Sequence, residues 1–159
     1  MNLLTEPSSM LTESLTQTLI TISPQEAYTG IILLAIVSDD YLSGYLAEEE
    51  IEAIDRYLRP MPLFQHFRPE TMRRMCQKLF TILQRDGEDI LLASARETLP
   101  PDLREAAFAS ASDLIFANGM ISRVQSSFLT QLSKALEIPT AIATQILSIT
   151  ISNTPTTIP

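Results

Sequence analysis

The sequence is short of almost everything that cross-links, staples or pleats a small protein. A single cysteine, Cys76, and a single histidine, His66, exclude a disulfide framework and any zinc cluster of Cys and His ligands. Glycine occurs only 4 times and tryptophan not at all, a poor supply for the tight turns of a β-rich chain. The longest unbroken apolar run, Ile31 to Val37, is far below the ~20 residues of a membrane-spanning helix. Residues 1–22 carry no positive charge and no small-residue cleavage pattern, so they do not read as a secretory leader and the expected compartment is the cytoplasm. Lysine and arginine are also missing from the whole stretch before Arg56.

What is present is apolar, helical and acidic. An apolar fraction of 45% in 159 residues is enough for one buried core, and the length suits one domain, expected over residues 1–150 with a disordered tail at 151–159. The net charge of -8 opposes binding to nucleic acid, because phosphate repels an acidic surface. The charge is polarised along the chain. Ten acids (Glu6, Glu13, Glu26, Asp39, Asp40, Glu48, Glu49, Glu50, Glu52 and Asp55) precede the first basic residue. Arg56, Arg59, Arg68, Arg73, Arg74, Lys78 and Arg85 then follow in close succession. Solvated faces of different helices account for this pattern; the competing reading is an acidic pole beside a basic face that meets a protein partner.

Apolar spacing follows the helical period throughout, and nothing alternates as a strand would, so the class is all-α, a bundle of about seven to eight helices. Leu11, Leu15, Leu19 and Ile22 predict an initial helix. Ser23-Pro24-Gln25-Glu26 reads as a capping box with proline in the first turn, opening a helix to about Ser38 that is apolar nearly all round and therefore central. A shorter helix carries Ile51, Ile54, Tyr57 and Leu58 and is closed by Pro60 and Pro62. Pro69 opens the next, with Met72, Met75, Cys76, Leu79, Ile82 and Leu83 inward and Arg73, Arg74, Lys78 and Arg85 outward. Further helices are expected over about Glu88–Leu99, from Pro101 to Ala117, along a Val124, Phe128, Leu129, Leu132 and Leu136 stripe, and around Ala141–Ile149. Cys76 lies on an apolar stripe and reads as a core thiol; His66 reads as a loop residue without a second ligand.

Two helix–loop–helix units can be laid over each other. Ile36-Val37-Ser38-Asp39 corresponds to Ile115-Phe116-Ala117-Asn118, and Gly44 to Glu50 corresponds to Gly119 to Gln125, with Asp40–Ser43 as an insertion in the first unit. The spacing predicts a glycine turn, an aliphatic residue (Leu46 or Ile121) tucked into the core, and an acid or amide in the first turn of the next helix that reaches back to the loop. The first loop also follows part of a twelve-residue calcium pattern, with Asp39 first, Ser43 fifth, Gly44 sixth, Leu46 eighth and Glu50 twelfth. Tyr41 breaks it at the third position. Asp39, Ser43 and Glu50 are thus the candidate ligands for a divalent cation (Ca²⁺, Mg²⁺, Mn²⁺ or Zn²⁺). The second loop offers only Asn118 and Gln125, and Ser122 with Gln125 is explained equally by a capping box.

These loops resemble the repeated A-D-G-x-I-x-x-x-E pattern of the TerB-like family, an all-helical domain associated with tellurite resistance. The second copy reads Ala117-Asn118-Gly119-Met120-Ile121-Ser122-Arg123-Val124-Gln125 and is followed by Phe128-Leu129, Leu132 and Ala135-Leu136-Glu137-Ile138, similar to the family's continuation. The resemblance spans most of residues 25–150. It implies a compact helical domain, a role in stress or tellurite resistance, and metal binding by acidic residues of the loops, with Asp39 and Glu50 matching as acids and Asn118 and Gln125 only as amides. The sequence shows no nucleophile beside a histidine base, no phosphate loop and no HExxH. The leading expectation is a non-enzymatic domain that binds a protein partner through Arg73, Arg74 and Lys78, with weak cation binding at the first loop. A structural or oligomer-forming scaffold with vestigial loops is the alternative, and a metal-dependent enzyme built on Asp39, Asp40 and Glu50 ranks lower.

Overall fold

A computed structural model describes residues 19–37, 44–117 and 119–153 of the chain. It is all-helical, with seven α-helices among the described residues: α1 Pro24–Val37, α2 Glu48–Leu58, α3 Pro69–Asp86, α4 Glu88–Thr98, α5 Pro101–Phe116, α6 Arg123–Ala135 and α7 Thr140–Asn153. A short 3₁₀ turn, Pro62–Phe64, joins α2 to α3.

The centre of the bundle is α1, and its composition explains why. From Ala27 to Val37 it carries no charge, and every residue from Ala27 to Ala35 is buried. It packs chiefly against α4 and α5 and secondarily against α3 and α2. Burying Ile31, Ile32, Leu33 and Leu34 completely contributes roughly 1.5–3 kcal/mol per side chain relative to exposure. The helix starts where the sequence predicts. Glu26 N–H donates to Ser23 Oγ at 3.1 Å and Ser23 N–H donates to Glu26 Oε1 at 2.9 Å, a reciprocal capping box. Gly30 lets α4 come close, because a Cβ there would stand 3.3 Å from Leu91 Cδ1.

The inward stripe of α3 is as expected, with Met72, Met75, Cys76, Leu79, Ile82 and Leu83 buried and Phe80 added to them. Gly87, at φ 90° and ψ 167°, separates α3 from α4 with a backbone that only glycine adopts readily. At the end of α6, Ile138 N–H donates to Ser133 C=O and Glu137 N–H to Lys134 C=O. This is a Schellman-type stop, in which Glu137 takes the left-handed φ of 55° usually given to glycine.

Three expectations need correction. Residues 19–23 are not the end of an initial helix: they form a non-helical strap over α4, held where Ile20 N–H donates to Ser94 Oγ at 2.9 Å and Thr98 Oγ1 donates to Ile22 C=O at 3.4 Å. Leu11 and Leu15 lie outside the described residues. Val124, placed on the core stripe of α6 by its spacing, is 52% exposed, because it sits in the first turn at the outer end of the helix, while Phe128, Leu129, Leu132 and Leu136 are buried. The last helix runs past Ile149 to Asn153, so residues 151–153 belong to α7.

Candidate functional site

The two pseudo-repeated units end in the same local chemistry. In the second, Gln125 N–H donates to Ser122 Oγ at 3.1 Å and Ser122 N–H donates to Gln125 Oε1 at 3.0 Å. In the first, Ala47 N–H donates to Glu50 Oε1 at 3.0 Å, but Ala47 has no side-chain oxygen to return the bond, and half the box is missing. Glu50 and Gln125 are therefore equivalent third-residue caps, a position that needs an acceptor oxygen but no charge. That explains how an amide replaces an acid in the second copy. It also engages one Glu50 oxygen in the backbone of its own helix.

Of the other predicted ligands, Asp39 and Ser43 lie outside the described residues, as does Asn118. Among the described residues no three His, Cys, Asp or Glu side chains gather as a metal site. His66 is exposed in the turn before α3. Cys76 is fully buried, and burial, aided by the Asp55 carboxylate, pushes its thiol up to about 12, the behaviour of a core thiol. Gly119 has the positive φ expected of the turn, 76°. Leu46 packs against the core as predicted, whereas Ile121 is exposed and does not.

The predicted basic surface is divided by the fold. Arg73 faces α2 and pairs with Glu48. Arg74 and Lys78, one helical turn apart, point instead to a groove of about 410 Å³ between α3 and the start of α1. The helical period separates Arg73 from Arg74 by about 100° of rotation, which places them on different faces. Thr71, Arg74, Met75 and Lys78 follow i, i+3, i+4, i+7 spacing and line one side of the groove; Phe67, Ser23 and Glu26 complete it. The spacing was readable in the sequence, but Phe67 and the capping end of α1 were not placed by any periodic signal.

The electrostatics of the groove centre on Glu26. Its Oε1 accepts from Ser23 N–H and its Oε2 accepts from Lys78 Nζ at 2.6 Å. Burial alone would raise the Glu26 pKa, but the bonds from Lys78 and Ser23 and the Lys78 charge overcome it, and the net displacement is downward. Glu26 and Lys78 thus cancel each other. Arg74 forms no ion pair among the described residues, so the groove has one uncompensated cation beside the apolar surface of Phe67 and Met75. No helix of the described residues is long and apolar enough to cross a membrane. Set against protein families, characterised proteins and solved structures, the chain matches none of them.

Proposed function

We propose that this chain is a non-enzymatic interaction domain of the TerB-like kind, serving a stress response by holding a protein partner in the groove between α3 and the start of α1. The observation that carries this reading is the uncompensated Arg74 guanidinium at the edge of an apolar floor. That pairing suits a peptide segment with an aliphatic or aromatic side chain beside a carboxylate. The apolar group covers Phe67 and Met75, and the carboxylate meets Arg74 in the forked geometry guanidinium prefers. The volume of about 410 Å³ lies near the lower end of the ~300–1,000 Å³ of ordinary binding clefts, enough for a few side chains. The repeated caps at Glu50 and Gln125 support the TerB-like part of the reading by keeping the family's loop architecture where its charge is lost.

The test is selection of a random peptide library on the wild-type chain and on Arg74→Glu. Peptides that combine Asp or Glu with Leu, Ile or Phe are expected to be enriched on the wild type. They should perturb the amides of Thr71, Arg74 and Lys78 in an NMR titration and bind Arg74→Glu about tenfold more weakly, as the loss of a charge-assisted contact implies. Arg73→Glu should bind them nearly as well as wild type. Peptides that bind both Arg74 forms equally would remove the groove from the proposal.

A further inference from the structure

We infer that residues 1–18, the segment before the strap, are the chain's own ligand for the groove between α3 and the start of α1, which rests on the reading of that groove as a peptide site. The segment engages it through Leu-Thr-Glu. That tripeptide occurs twice, as Leu4-Thr5-Glu6 and Leu11-Thr12-Glu13. Each copy supplies the aliphatic side chain that Phe67 and Met75 suit and the carboxylate that Arg74 lacks. Glu6 and Glu13 are the only charged side chains of the segment, so nothing in it opposes the Arg74 guanidinium.

Position selects this occupant as strongly as charge does. Ser23 ends the strap and also lines the groove, so the segment is tethered beside it. From Ile20, fastened to Ser94, the way back to Arg74 crosses three strap residues and the width of a cleft of about 410 Å³, a path of about 20 Å. Residues 14–19 separate Glu13 from Ile20 and give it a reach of about 23–25 Å, while Glu6 reaches about twice as far. Both copies can therefore arrive. Asp39 and Asp40 cannot, since they follow Val37 at the other end of α1, a helix of 14 residues and so about 21 Å long. The remaining acids lie in described segments, and none of them pairs with Arg74.

A tether this short gives the segment an effective concentration on the order of 1 mM. With an intrinsic Kd of about 0.1–1 mM it fills the groove half the time or more, and an external peptide, which binds only the vacant fraction, is weakened about two- to tenfold. The segment thus sets a threshold that a partner must exceed.

The full chain with a nitroxide at position 9, between the two copies, tests this; the label is attached through Ser9→Cys in a Cys76→Ala background. The amides of Thr71, Arg74 and Lys78 should broaden, and dilution should leave the broadening unchanged because the contact is intramolecular. Glu6→Lys and Glu13→Lys together should abolish it, with the rest of the spectrum reporting that the chain is folded. Acidic–aliphatic peptides selected from the library should bind that double variant, unlabelled, about two- to tenfold more tightly than wild type. Absence of broadening, broadening that fades on dilution, or broadening that survives the double charge reversal would overturn the inference. So would peptides that bind the double variant and wild type alike; if these still lose affinity with Arg74→Glu, the partner groove stands without its internal ligand. Peptides indifferent to Arg74→Glu would remove the groove itself.

Discussion

Two buried hydroxyls show how much depends on whether a polar atom finds a partner. Tyr28 Oη lies 2.6 Å from Ser110 Oγ and donates to Ala106 C=O at 3.0 Å, tying α1 to α5. Thr29, beside it in sequence and equally buried, has a hydroxyl with no hydrogen-bond partner. Thr29→Val keeps the shape and discards the orphaned oxygen, so it should raise stability by about 1 kcal/mol in chemical denaturation; a destabilised variant would show that the hydroxyl is satisfied after all. Tyr28 also contributes to the alkaline limit. Burial, with the charges of Tyr57 and Asp113 adding to it and the Ser110 bond working against it, pushes its pKa from 10.0 to about 12. A raised phenol pKa means the native state holds its proton more tightly. Its stabilisation is therefore complete below pH 10 and is lost as pH climbs through the folded value. Cys76 behaves likewise from 9.0 to about 12. Stability should hold near neutrality and fall from about pH 9 upward, with the onset displaced toward pH 10 in Cys76→Ala. A melting temperature that does not fall between these values would contradict the burial of both groups.

Among the helices, the most informative comparison is between the starts of α2 and α6. Ala47 and Ser122 have nearly the same backbone, φ -72° and ψ 151° against φ -81° and ψ 166°, yet only serine completes its box. Ala47→Ser should therefore stabilise the fold by about 0.5–1 kcal/mol, while Glu50→Gln should be close to neutral and Glu50→Ala should cost a comparable amount. Thermal melts of the three variants decide it, and a large loss in Glu50→Gln would restore a role for the charge itself. The elements most legible in the sequence are those fixed by local chemistry and periodicity together. The start of α1 was signalled by Ser23, Pro24 and Glu26, and the inward face of α3 by six regularly spaced apolar residues, all of them buried. The strap was not legible, because Leu19 and Ile22 match a helical spacing while the bonds that hold the segment extended come from Ser94 and Thr98, more than seventy residues away in sequence. Val124 has a helical spacing but lies at the outer start of α6, where it is 52% exposed, and Ile121, expected in the core from its match to Leu46, lies in the loop before α6 and is exposed as well.

At the scale of the whole molecule, the acidic and basic parts of the sequence meet in space. Glu48 of α2 pairs with Arg73 of α3, and Glu26 of α1 pairs with Lys78. The sequence announced both the basic face and its acidic counterpart, but their proximity is a product of the bundle, and it is what leaves Arg74 as the excess charge in the groove. Most of these pairs are substantially exposed and contribute little individually. Global repulsion from the net charge of -8 should therefore outweigh them. Raising NaCl from about 10 to 300 mM at neutral pH is expected to increase the melting temperature. A decrease in scanning calorimetry would mean that the ion pairs carry more of the stability than their exposure allows.

The solitary thiol in the middle of α3 turns the molecule into its own clock. Because Cys76 is fully buried and holds its proton far above neutral pH, a thiol reagent added to the native protein must wait for the core to open. With one cysteine in the chain, each labelling event records one opening at a known place, without competing sites or engineered probes. Reagent concentration then separates two regimes: when labelling is slow relative to reclosing it reports the equilibrium of opening, and when fast, the opening rate. The energetics of this bundle are thus open to measurement in the unmodified sequence, by mass alone.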